Sequence, residues 1–224
     1  MMHCEYNNHK SLSGFTLVEL LVAITVILIL FSLILSSVTR VKSKAQSIEC
    51  INNLKQWGIA TYLFAQENDD FLPKDGAPNG TSRNEGWYID LPKTLRIPVY
   101  YELPWRTNPA IKPEKSIWIC PANKRRSNGH NLFHYCLNLN VNLRGTGNRV
   151  KLSSVPTPSR VVWLFDNGKE AAVAKQNNVH TNLHNQGAQF LFLDAHATRF
   201  PNSKYWDFSK NYGLTNNPDL IWFP

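Results

Sequence analysis

The sequence predicts an α+β protein: a long N-terminal membrane-spanning α-helix packed against a C-terminal antiparallel β-sheet head with long loops. Three observations carry this reading. Leu20 to Thr39 contains no charged side chain, and a helix of that length crosses the roughly 30 Å hydrocarbon core of a bilayer. No proline occurs before Pro73, so nothing breaks a helix that starts in the apolar run. Beyond it, thirteen Pro and many Asn separate short β-rich runs, the pattern of strands joined by turns.

The first element is the apolar helix. Ser13 to Arg40 reads SGFTLVELLVAITVILILFSLILSSVTR. Glu19 stands alone as an acid near its start, where a carboxylate costs roughly 2.5 to 3.5 kcal/mol on insertion scales. Such a charge calls for a partner, and an α-amino group fits. A cut between Gly14 and Phe15 creates a positive N-terminus one turn from Glu19, on the same helix or on a neighbouring copy. A secretory signal is cut after its apolar region, whereas the only suitable site here precedes it, so the helix stays in the mature chain.

Gly14-Phe15-Thr16-Leu17-Val18-Glu19 resembles the processing site of type IV prepilins and type II secretion pseudopilins. The resemblance implies that a prepilin peptidase cleaves after Gly14 and methylates the new terminus at Phe15. Glu19 is then an assembly residue, and other pilin-like subunits are partners through the N-terminal helix. It also implies a single-pass protein of the bacterial inner membrane, N-terminus cytoplasmic and head periplasmic. Arg40, Lys42 and Lys44 follow the helix on the side placed outside, and the positive-inside rule alone argues for the reverse. The motif decides, because the peptidase must reach the leader from the cytoplasmic side.

Past the bilayer, Val41, Ala45, Ile48, Ile51, Leu54 and Tyr62 fall mostly at three- and four-residue spacing among polar residues, which predicts an amphipathic continuation. Asn68-Asp69-Asp70 supplies the first strong stop. The expected organisation is a leader over 1–14, a transmembrane helix over 15–39, its amphipathic continuation over 40–68 and a β-rich head over 69–224.

About 160 residues follow the helix, enough for one domain with a core. Seven Trp, eleven Phe and eight Tyr supply its apolar surface. The net charge of +8 survives leader removal, since Lys10 and Glu5 cancel, and favours acidic partners or anionic lipid. Lys124-Arg125-Arg126 adjoins Ser127-Asn128-Gly129 and reads as a solvated turn, so nucleic acid is not an expected partner. Cys4 lies in the leader, which leaves Cys50, Cys120 and Cys136 and room for one intramolecular disulfide. Cys50–Cys120 would fasten the helix to the head, Cys120–Cys136 would close a loop, or all three stay reduced and buried. No C-x-x-C occurs, which argues against a zinc ribbon or a redox pair.

The segment around Cys50-Ile51-Asn52-Asn53-Leu54-Lys55-Gln56 resembles the C-x-N-N-L-K-Q segment of pseudopilin-like proteins that end in an H-x9-D-G element. Ile117-Trp118-Ile119-Cys120-Pro121 reads as a short strand stopped by Pro and is similar to the family's apolar-Cys-Pro segment. Tyr135-Cys136-Leu137-Asn138 resembles its S-Y-x-x-N segment, with His134 where Ser is usual. Arg160 to Asp166 is an expected central strand, and Gln189 to Leu193 a buried one. Nine residues lie between His184 and Asp194. Ala195 stands where the family has Gly, at a turn expected to need positive φ. The segment 75–111 carries no such anchor.

His180, His184, Asp194 and His196 invite a metal or acid–base reading. Against it, HTNLHNQG at 180–187 reads as a loop, and no H-E-x-x-H, G-x-S-x-G or phosphate-loop pattern occurs. The expectation is structural: His184 and Asp194 hydrogen-bond each other and fix the hairpin, with no metal, cofactor or catalytic residue. The leading functional reading is a pseudopilin-like structural subunit of a type II secretion or type IV pilus-like assembly. An alternative is a membrane-tethered envelope module that binds protein, glycan or nucleic acid through exposed Trp87, Tyr88, Tyr100, Tyr101 and Trp105. An anchored hydrolase ranks last.

Overall fold

The computed structural model describes residues 14–142, 149–215 and 217–224. The leader before Gly14, Cys4 included, lies outside the described residues. The chain divides into two compact units, one ending at Lys42 and the other Ser43–Pro224.

Helix α1 spans Leu17–Glu67. In the first unit it is uncharged from Leu20 to Thr39, with Leu17, Ile27 and Leu33 all exposed. Its mean hydropathy reaches 2.9, and it is long and apolar enough to cross a membrane. The helix ends where expected. Asp69 and Asp70 adopt positive φ of 53° and 69°, and the Asp70 amide returns to the Ala65 carbonyl at 2.9 Å, a left-handed cap.

In the second unit, the buried stripe of α1 differs from the expected one. Of the expected stripe Leu54 is buried and Ile51 and Tyr62 are half-buried, while Ala45 and Ile48, and Val41 of the first unit, are exposed; Cys50, Asn53, Trp57, Thr61 and Ala65 are buried as well. Polar members of the true stripe go inside because each meets a partner. Asn53 Nδ2 donates to the carbonyls of Ser116 and Ile119. Thr61 Oγ1 accepts from Trp163 Nε1 at 2.9 Å, and Cys50 is bonded to Cys120.

A five-stranded sheet forms the centre of this unit. Its strands are β1 (Tyr135–Asn138), β2 (Val162–Asp166), β3 (Val173–Ala174), β4 (Gly187–Phe192) and β5 (Ala197–Pro201), in the order β3-β1-β2-β4-β5. The α+β class stands, and three of the four pairings are antiparallel. The fourth departs: β3 pairs parallel with β1, because the chain leaving β2 passes β1 and joins its free edge. Asn167 holds that turn, donating from Nδ2 to the carbonyls of Phe133 and Ala171.

Alternation divides the core between the two faces. Tyr135, Leu137 and Leu191 pack with Leu54 and Trp57 of α1. Cys136, Phe165, Phe190 and Phe192 pack with Tyr205, Leu220 and Trp222 from the C-terminal segment. Trp163 and Leu164 are adjacent yet share the α1 side. A register shift between Val162 and Leu164 accounts for it, since an extra residue in one strand resets the alternation. A hairpin, β6 (Trp206–Asp207) with β7 (Tyr212–Gly213), completes the C-terminal region.

Ile117 to Cys120, expected as a strand, is turn and irregular chain. Its carbonyls are taken by α1 side chains, Asn53 at Ile119 and Trp57 Nε1 at Ile117, so no neighbouring strand is needed. The segment without a sequence anchor, 75–111, contains helix α2 (Trp87–Thr94) and fills the core with aromatics.

Candidate functional site

The first candidate site lies at the start of α1. Thr16 precedes the helix, its side chain accepting from the Glu19 amide at 3.2 Å. Glu19 Oε2 in turn accepts from the Thr16 amide at 2.9 Å and from Thr16 Oγ1 at 2.7 Å. This is a reciprocal capping box, which satisfies amides left without partners by the first helical turn. The positive end of the helix dipole also favours a carboxylate here. Thr16 was missed as a site residue, although T-x-x-E before an apolar run is a sequence-level signal.

Gly14 and Phe15 sit just before this box. A Cβ added at Gly14 would meet no atom within 4 Å, so the fold makes no demand for glycine there. Phe15 is 78% exposed. A small residue that packing does not require, next to an open peptide bond, is what a cutting enzyme needs. Residues 10–35 match the family model described as the prokaryotic N-terminal methylation motif. The chain carries this methylation motif. No curated protein and no solved structure matches the chain. The match covers the helix start and the apolar run, so the H-x9-D resemblance in the head stands on its residues alone.

The second candidate site is inside the head, and the structure rearranges it. His184 does not bond Asp194. Its Nε2 lies 3.2 Å from Asp166 Oδ2 and 3.4 Å from Cys120 Sγ, and the side chains of His184 and Asp166 are fully buried. Asp166 Oδ2 also accepts from the Gln189 amide at 2.8 Å, so the acid at the end of β2 reaches across to β4. Asp194 instead meets its neighbour His196, Oδ1 to Nδ1 at 2.5 Å, with both side chains partly exposed. The β4–β5 turn takes its positive φ at Ala195, while His184, Asn185 and Gln186 take theirs in the separate turn that precedes β4. The positive φ expected at this position is present at Ala195, at 66°. Asp166 is the site residue that sequence reading missed, because it looked like the last residue of a strand.

Cys50 and Cys120 form a disulfide that closes a sequence separation of 70 residues. Cys136 is a buried free thiol packed on the opposite face of the sheet, which excludes the Cys120–Cys136 alternative. His134 accepts from the Cys120 amide through Nδ1, and burial lowers its pKa to about 4, so it is neutral near pH 7. The ligand atoms of Cys50, Cys120 and His184 lie within 4.8 Å of one another.

The aromatics expected on a binding face belong to the core. Trp87, Tyr88, Tyr100 and Trp105 are buried; only Tyr101 of the five is partly exposed. Trp57, Trp87 and Trp118 form a cluster with centroids 4.6 to 5.8 Å apart, and Tyr100 stacks on Phe133 at 4.0 Å. Arg125 of the basic cluster is half-buried, donating to the Phe133 carbonyl at 2.6 Å and to the Lys169 carbonyl. Its role is to tie the loop, while Lys124 and Arg126 are exposed.

Proposed function

We propose that this chain is a pilin-like structural subunit, cut by a prepilin peptidase between Gly14 and Phe15 and rooted in the bacterial inner membrane by the helix that follows. The observation that carries the reading is the methylation motif at residues 10–35. The freedom of Gly14 from packing and the exposure of Phe15 support it.

In this reading Glu19 has two partners in succession. Before the cut it closes the capping box with Thr16. After the cut, the ammonium group of Phe15 on a neighbouring subunit pairs with it, and in lipid that pairing offsets the cost of an isolated carboxylate. The helix anchors and assembles, and the head faces the periplasm. No reaction is assigned to the head, and its role is contact with other subunits of a type II secretion or type IV pilus-like assembly. Burial of the head aromatics removes the main support for a tethered binding module.

Co-expression with a prepilin peptidase tests the proposal. The chain is expected to lose its fourteen leader residues and to begin with N-methylated Phe15. Gly14→Val should block the cut without affecting the fold, since the position is open. An intact Met1 terminus in membranes that contain active peptidase would overturn the reading.

A further inference from the structure

Three buried groups converge in the head, of which sequence reading offered only the two cysteines as a possible pair. Cys50 and Cys120 come from α1 and the loop before β1, and His184 from the turn before β4. Their ligand atoms lie within 4.8 Å of one another, and Asp166 Oδ2 is 3.2 Å from the same His184 nitrogen. A proton relay would set the carboxylate and the sulfur on opposite ring nitrogens. Here Nε2 faces both, while Nδ1 is buried without a hydrogen-bond partner. Asp166 Oδ1 is likewise buried and unpartnered. The disulfide itself holds two of these atoms together; once it is opened, two sulfurs, an imidazole and the carboxylate beside it are left as the donors of a ligand set.

We propose that, once its disulfide is reduced, the head binds one zinc ion through Cys50, Cys120, His184 and Asp166. Two thiolates, an imidazole and a carboxylate make a four-donor set of the kind zinc takes in tetrahedral sites, and the sulfurs disfavour calcium and magnesium. The chemistry balances in two steps. A small-molecule dithiol gives two electrons and two protons to the Cys50–Cys120 bond and leaves as its own cyclic disulfide. Zinc then displaces the two thiol protons, which pass to solvent. The ion takes over the cross-link between α1 and the loop that the disulfide supplies in the oxidised protein. Cys136, on the far face of the sheet, takes no part.

The test uses the full chain in detergent micelles, oxidised or reduced with a dithiol under argon, then given zinc and desalted. The reduced wild type is expected to retain about one equivalent of zinc and to melt higher with it than without. The oxidised protein should retain none. Cobalt in place of zinc should give a sulfur-to-metal charge-transfer band. Cys50→Ser should lose that band, His184→Gln should bind at least about tenfold more weakly, and Cys136→Ser should match wild type. The proposal is overturned if reduced wild type retains no zinc and its melting is unchanged by it. Retention by Cys50→Ser equal to that of wild type would overturn it as well.

Discussion

At the residue scale, function and stability turn on where each charge finds its partner. Glu19 is exposed and capped by Thr16, so Glu19→Val should leave membrane insertion intact and reduce crosslinked oligomers at equal membrane abundance. Unchanged oligomer yield would remove the assembly role. His184 and Asp194, which sequence spacing pairs, should behave differently. His184→Ala strands the buried Asp166 carboxylate and should cost about 3 kcal/mol or more in urea unfolding followed by tryptophan fluorescence. Asp194→Ala breaks a partly exposed contact with His196 and should cost about 1 kcal/mol or less. Equal losses would restore the direct pairing. Asp75 gives a pH signature. Burial pushes its carboxyl up to about 6 from an ordinary 3.8, against a lowering hydrogen bond from Asn142. The folded state therefore holds this proton more tightly than the unfolded chain, and stability falls as pH rises from about 4 through 6. Asp75→Asn should be more stable than wild type by about 1 to 3 kcal/mol at pH 7, with the difference vanishing near pH 4. His134, lowered to about 4, titrates in the opposite sense in both proteins and cancels in the comparison. A gap that is constant with pH would show that Asp75 is not the group responsible.

At the element scale, the close approach of α1 to the β4–β5 hairpin depends on a missing side chain. A Cβ at Gly58 would lie 2.8 Å from Ala195 Cβ and 2.9 Å from Leu191 Cδ1. Alanine normally gains about 1 kcal/mol over glycine inside a helix, yet Gly58→Ala should destabilise the head by about 1 to 3 kcal/mol, because overpacking outweighs propensity. A stabilised variant would show that helix and hairpin can separate at little cost. The existence and extent of α1 were legible in the sequence, since an unbroken run without Pro ends at an Asn-Asp-Asp stop. Its inner face was not. Hydrophobic spacing found Leu54 but also selected Val41, Ala45 and Ile48, whereas burial selected Cys50, Asn53 and Thr61; Asn53 and Thr61 meet Ser116 and Trp163, 63 and 102 positions away. For the same reason Ile117 to Cys120 looked like a strand: β-rich composition does not reveal that side chains from a helix take the carbonyls.

At the scale of the whole molecule, the Cys50–Cys120 bridge joins α1 to the loops that precede the sheet. Replacing both cysteines by Ala should cost about 2 to 5 kcal/mol, read as a lower denaturation midpoint in non-reducing buffer, with wild type falling to a similar value when reduced without metal. A midpoint indifferent to both changes would mean that the aromatic core alone closes the head. The sequence by itself determined the membrane-competent helix, the methylation motif, the α+β class and the two central strands, because each is written in contiguous residues: an uncharged run, a six-residue motif, a β-rich stretch between turns. Tertiary structure alone decided which cysteines pair, that β3 joins β1 in parallel, that the aromatics of 75–111 are core, and that His184 meets Asp166 and Cys120 and leaves Asp194 to His196. Those outcomes depend on which buried polar group reaches which distant partner, and a side chain's reach is fixed only when the chain has closed on itself.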